Sequence, residues 1–169
     1  GMKYFNKTVI TLLITTIILS ACKPDSFKDL GIERDFLESL NGTWKLTKAT
    51  QVDEDASKKG FPYQQLDITN LVPYTNFVFT LNVSGGAPTT FTAVPGTSPK
   101  IIKLPSGSWT VDDLKYPKNI YLKNGAATDT ISLGGYPTGT STTLKLSKEK
   151  KDAVTGKLLI SYSYEFAKQ

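Results

Sequence analysis

From residue 43 onward apolar and polar positions alternate, and the alternation scarcely stops before the chain ends. The clearest run is residues 75–83, where Phe77, Phe79, Leu81 and Val83 share one side and Asn76, Thr80 and Asn82 lie among those on the other. Successive strand side chains point to opposite faces, so this period of two predicts a strand with one buried face. Ser84-Gly85-Gly86-Ala87 predicts a turn back into a strand over 89–94, with Phe91 and Ala93 on one face. Trp109 and Val111 alternate in the same way, as do Ile120 and Leu122, Ile131 and Leu133, and Leu144 and Leu146. In the last strand Leu158, Ile160, Tyr162, Tyr164 and Phe166 share a face, opposite Ser161, Ser163 and Glu165. Asn124-Gly125 predicts a two-residue hairpin turn, since both positions tolerate positive φ. Gly134-Gly135 and Val154-Thr155-Gly156 mark two more turns. With residues 44–51 as the first strand the count is eight, joined by short connections. The exception is a long link over 52–74 that carries Asp53, Glu54, Asp55, Lys58 and Lys59.

Upstream of the strands the period changes. Ile32, Phe36, Leu37 and Leu40 fall at i, i+4, i+5 and i+8, which predicts one short helix, and Asn41-Gly42 ends it. Farther upstream an apolar and threonine-rich run over 9–19 follows Lys3 and Lys7 and leads into Leu19-Ser20-Ala21-Cys22. A charged segment, an apolar segment and then small residues are the three parts of a secretory signal. The run is about eleven residues, against the roughly twenty a helix needs to cross a bilayer, so a cleaved signal is preferred over a membrane anchor.

Antiparallel strands with one apolar face must bury it, either by pairing two sheets or by closing one sheet on itself. Eight strands close around their own side chains or around one small ligand. The expected fold is therefore all-β: an eight-stranded antiparallel barrel with one short N-terminal helix, and a two-sheet sandwich as the alternative.

Two resemblances refine this picture. Leu19-Ser20-Ala21-Cys22 resembles a bacterial lipobox, in which the cysteine sulfur receives diacylglycerol and the signal is cleaved before it. That implies lipidation at Cys22 and attachment to a membrane. In Gram-negative lipoproteins an aspartate after the cysteine retains the protein in the inner membrane, so Lys23 implies an outer-membrane location, on either face. Gly42-Thr43-Trp44, directly after a short helix, is similar to the G-x-W opening of lipocalins, where the tryptophan closes the barrel floor; Trp44 is the expected barrel-closing residue. A second unit, Gly107-Ser108-Trp109, recurs mid-chain, and the region from about residue 33 to 166 resembles small lipocalin-like (calycin-type) lipoproteins of Gram-negative gut bacteria. The resemblance implies a fold more than an activity, because most members of that group have none assigned. No basic residue can be matched from the sequence to the one that packs on the tryptophan in lipocalins, and the long early link is atypical. The expected division is a tag scar (Gly1) plus signal peptide over 1–21, a lipidated cysteine and tether over 22–31, and the barrel over 32–169.

Of the 169 residues, 148 remain once the first 21 are removed, an ordinary single domain. The formal charge of +5 falls to +3 without Lys3 and Lys7. Lys148, Lys150 and Lys151 surround Glu149 and read as a solvated hairpin end; no basic stripe predicts a nucleic-acid partner. The chain has no histidine and one cysteine. Histidine-dependent triads, imidazole proton shuttles and most zinc, copper and haem ligation are thereby excluded, and Cys22 is assigned to lipid. Asp53-Glu54-Asp55 and Asp112-Asp113 lack the spacing of a calcium loop and read as turn residues. A non-catalytic protein without metal or cofactor is expected.

The inward aromatic set is heavy: Phe77, Phe79, Phe91, Tyr162, Tyr164 and Phe166. Together with Trp109 these are the candidate lining of an apolar interior, with tyrosine hydroxyls as polar handles for a small apolar or amphipathic ligand. Six large rings also suffice to fill a small barrel outright, and filling is favoured. Tyr63, Tyr74, Tyr116 and Tyr136, near prolines or in Gly-Pro-rich turns, are the alternative: loop aromatics that grip a glycan or an envelope protein while the barrel serves as scaffold.

Overall fold

The computed structural model describes residues 35–60, 64–137 and 142–169. The signal segment, Cys22, the tether, Ile32 and Tyr63 lie outside the described residues. The chain runs α1 (Phe36–Ser39), β1 (Gly42–Asp53), α2 (Glu54–Lys58), β2 (Gln65–Asp67), a 3-10 turn (Tyr74–Asn76), β3 (Val78–Ser84), β4 (Ala87–Val94), β5 (Ser106–Val111), β6 (Asn119–Asn124), β7 (Ala127–Gly135), β8 (Thr143–Lys151) and β9 (Leu158–Lys168).

From β3 to β9 each strand pairs antiparallel with the next, and β1 pairs with β3 on one edge and β9 on the other. The result is an all-β, closed eight-stranded antiparallel barrel, lipocalin-like in architecture. The short β2 is a ninth strand, laid along the far half of β1 at Thr50↔Asp67 to Val52↔Gln65. A second short helix, α2, forms at the start of the long early link. Asp53 caps it by accepting the Ala56 N–H at 3.0 Å, as Asp35 caps α1 through Glu38 N–H at 3.0 Å.

The period-two reading places the inward side chains correctly, and register brings them into facing pairs: Trp44 with Phe79, Phe79 with Ala93, Trp109 with Leu122, and Leu146 with Tyr164. The boundaries differ in places. Gly134 and Gly135, expected as a turn, belong to β7, where a bulge shifts the register between Leu133 and Gly135 and the strand runs on to pair with Lys145. Thr75 and Asn76, expected as the start of a strand, instead join Tyr74 in a 3-10 turn after Pro73, fixed by the Asn76 amide donating to Thr97 Oγ1 at 2.5 Å. Phe77 keeps its inward direction because its carbonyl still accepts the Leu46 N–H at 3.0 Å.

Both G-x-W units are one device used twice. Gly42 and Gly107 each begin the run into an inward tryptophan with positive φ, +136° and +147°. Trp44 Nε1–H donates to the Leu40 carbonyl at 3.0 Å, and Trp109 Nε1–H donates to the Asn82 carbonyl at 2.9 Å. A Cβ on Gly107 would lie 1.9 Å from the Lys123 carbonyl oxygen, and one on Gly42 would lie 2.7 Å from Lys168 Cε. The lysine stem that needs Gly42 bare brings its ammonium 5.8 Å from the Trp44 ring centre. Lys168 thus supplies the basic residue over the tryptophan that the sequence alone could not place. With Leu37 and Leu40 buried beside Trp44, this end of the barrel is closed.

The interior is filled. Phe79 meets Phe91 at 6.3 Å and Phe166 at 6.4 Å between ring centres, and Phe77 meets Phe166 at 6.3 Å. A void wide enough for water would leave accessible surface on the rings that border it, and Phe77, Phe79, Phe91 and Phe166 have none (0%).

Candidate functional site

The barrel end opposite Trp44, here the mouth, is where β1 runs into α2, β4 leads into the 95–105 loop and β8 turns into β9. The 95–105 loop drops Ile101 and Ile102 inward, 6% and 2% exposed, as a plug over the filled core. Its backbone is held by Ser98 N–H donating to the Pro95 carbonyl at 2.9 Å and Lys103 N–H donating to Asp129 Oδ2 at 2.9 Å.

Above the plug lies an open cleft of about 320 Å³. The strand period sets its aromatic wall: Tyr162 and Tyr164, two apart on β9, stack nearly parallel at 6.3 Å and 7°. Tyr74, from the 3-10 turn, brings its ring to 6.3 Å from Tyr164. Tyr164 pairs with Ala49 on β1, and the small alanine leaves room for the ring to lie inward. Pro99, Lys100, Ile101 and Lys103 from the loop and Lys148 and Glu149 from β8 complete the lining.

Tyr164 is only 5% exposed, yet neither its hydroxyl nor those of Tyr74 and Tyr162 bonds to a described residue, and no described buried polar atom is left without a partner. The hydroxyl of Tyr164 therefore reaches the cleft. Burial pushes its phenol well above the usual range, with Tyr74 and Tyr162 adding to the shift. Burial raises Tyr74 as well, reinforced by Tyr162. Both are neutral phenols at physiological pH, able to donate and to accept.

The charges around the cleft are unequally matched. Lys148 Nζ lies 3.0 Å from each carboxylate oxygen of Asp129, a half-buried pair rather than the solvated hairpin end its sequence suggests. Glu149 faces Lys151 at 3.7 Å. Lys100 and Lys103 are exposed and form no ion pair with a described residue.

The sequence-predicted lining residues therefore divide. Phe77, Phe79, Phe91 and Trp109 are core, packed on one another or on neighbouring strands, and border neither cleft. Tyr162 and Tyr164 converge at the mouth and are joined by Tyr74, one of the loop tyrosines. Lys100, Ile101 and Lys103 were missed; the signal that could have found them is the Ile101-Ile102 pair, with Leu104 two residues on, an apolar step inside a connection otherwise made of glycine, proline, serine, threonine and lysine.

A second, larger cleft of about 520 Å³ lies at the closed end, lined by Asp112, Asp113, Tyr116 and Lys118. Its carboxylates are engaged by their own loop. Asp112 is raised by desolvation, but the Lys118 and Asn119 N–H groups and the Asn119 side chain outweigh this and hold it at about 2. Asp113 is lowered by the Tyr116 and Lys115 N–H groups. Tyr136 donates to the Pro117 carbonyl, and Phe36 packs between Tyr136 and Tyr116 at 4.5 and 6.0 Å. All four lining residues are exposed, and the cleft lacks a buried group turned toward a ligand.

No protein-family model matches this chain, and no curated protein matches it.

Proposed function

We propose that this is a non-catalytic outer-membrane lipoprotein of the lipocalin-like kind, anchored through lipid on Cys22, that binds a small amphipathic ligand at the barrel mouth. The filled barrel acts as scaffold. The observation that carries this reading is the contrast between the inner rings of the aromatic set and its tyrosines at the mouth. The inner phenylalanine rings have no accessible surface, while at the mouth three tyrosine hydroxyls that no described residue engages face a cleft. Turned to the cleft, these hydroxyls are free to donate to and accept from a polar ligand while the rings beside them offer apolar surface. At about 320 Å³ the cleft is at the small end of the range of roughly 300–1,000 Å³ seen for small-molecule sites.

The test is native mass spectrometry of protein extracted from its own membrane. The expected spectrum shows an acylated N-terminus and a small non-covalent adduct on the wild type, with the adduct lost in Tyr162→Ala. An adduct that survives that substitution, or none on the wild type, contradicts the mouth site; an unacylated Cys22 contradicts the anchor.

A further inference from the structure

Resting on the mouth site just proposed, we infer that its ligand is an acidic sugar: a pyranose laid against the half-buried rings of Tyr162 and Tyr74, with its hydroxyls toward the Tyr164 phenol and its carboxylate beside Lys100 and Lys103. Three features of the cleft select this chemistry. First, the core beneath is closed by Ile101 and Ile102 over rings that have no accessible surface, so a long acyl chain has no channel to enter. The ligand must be compact and lie across the cleft. Second, the wall combines flat apolar faces with hydroxyls. Tyr162 and Tyr74 present half-buried rings, and with the buried Tyr164 they offer three hydroxyls that no described residue engages and that both donate and accept. A pyranose matches this, with carbon–hydrogen bonds on its faces and hydroxyls around its rim. Third, the charge is positive. Lys148 is neutralised by Asp129 and Glu149 is matched by Lys151, which leaves the ammonium groups of Lys100 and Lys103 without a counter-ion among the described residues. A three-tyrosine wall by itself also suits a quaternary ammonium, but two uncompensated lysines beside it repel a cation and attract a carboxylate.

The experiment is isothermal titration of the full-length, detergent-extracted protein with cellobiuronic acid and cellobiose, which differ at one carbon (carboxylate against hydroxymethyl), and with hexanoate as a carboxylate lacking a sugar. Cellobiuronic acid is expected to bind at least about tenfold more tightly than either control, as suits a charge-assisted contact. The preference should shrink as salt is raised, because the lysines are exposed. The double variant Lys100→Glu/Lys103→Glu, at exposed positions, should abolish the preference. Tyr164→Phe should weaken binding while leaving the unfolding midpoint at neutral pH unchanged, since the hydroxyl it removes has no partner among the described residues.

Equal binding of cellobiose overturns the charge assignment, and equal binding of hexanoate overturns the sugar. Silence from all three overturns the inference as a whole. In that last case a native adduct that still depends on Tyr162 shows that the mouth site stands with a different ligand, whereas loss of that dependence removes the site itself.

Discussion

Gly107 has room for a hydrogen and nothing more. The Lys123 carbonyl oxygen would sit 1.9 Å from any Cβ, the Phe91 ring 3.3 Å from it, and φ is +147°. Gly107→Ala must therefore move backbone in two strands and strain its own, for an expected loss of about 2–4 kcal/mol in chemical denaturation. Gly125→Ala, with φ of +59° but open space around it, serves as the control and should cost about 1 kcal/mol. Tyr164 makes a different prediction at the same scale. Its phenol is pushed up from the ordinary 10.0 by burial, and Tyr74 moves the same way. Below the ordinary value both folded and unfolded chains keep these protons, so stability is flat with pH on their account. Above pH 10 the unfolded phenols ionise before the folded ones, and stability falls as pH rises toward the folded values. A series of denaturant melts from pH 8 to 12 should show that decline, and Tyr164→Phe should make it shallower. An unchanged slope would mean that Tyr164 is not buried as described.

At the scale of elements the least secure piece is α2, five residues long with no buried residue. It is held by ion pairs. Asp55 faces Lys59 at 2.8 Å and Lys157, in the β8–β9 turn, at 2.5 Å, and Ser161 donates to Glu54 at 2.6 Å. The Lys157 and Lys59 ammonium groups hold the Asp55 carboxyl at about 2, below its ordinary 3.8. A lowered acid stabilises above its ordinary value, so this anchorage is intact above pH 3.8 and is lost as pH falls toward 2. Amide exchange across 54–60 should accelerate over that interval while β9 stays protected. Asp55→Asn should give the fast exchange already at pH 6. These contacts also explain where the sequence became illegible. The strands were readable because each carries its own alternation, and the inward set from Phe77 to Phe166 follows from a period of two. Neither α2 nor β2 has a period of its own: α2 is tied to a partner far along the chain, Lys157 being 102 residues from Asp55, and β2 exists only through its pairing with the far half of β1. Lys168 over Trp44 was hidden for the same reason, since only the β1–β9 register places it there. The mouth was half legible. Tyr162 and Tyr164 were recognised as inward, but where on the barrel axis they sit depends on how deep the 95–105 loop reaches.

For the whole molecule, closure and filling decide where function resides. Nine register pairs from Trp44↔Lys168 to Asp53↔Ile160 join the first and last long strands, so no free edge remains between them. The space enclosed is taken by Phe77, Phe79, Phe91, Phe166 and both tryptophans, which closes the interior to a ligand of any size. What remains accessible is the aromatic set's outermost pair, lifted to the rim by the length of β9 and joined there by Tyr74 and the lysines of the loop. The central claim is that this barrel binds at its mouth and not in its interior. The most direct test is a crystal structure of protein taken from its own membrane without ligand-stripping steps. The expected result is a compact molecule against Tyr74, Tyr162 and Tyr164, with the inner rings where they are described here. A ligand lodged between Phe77, Phe79, Phe91 and Trp109, with those rings moved apart, would contradict it.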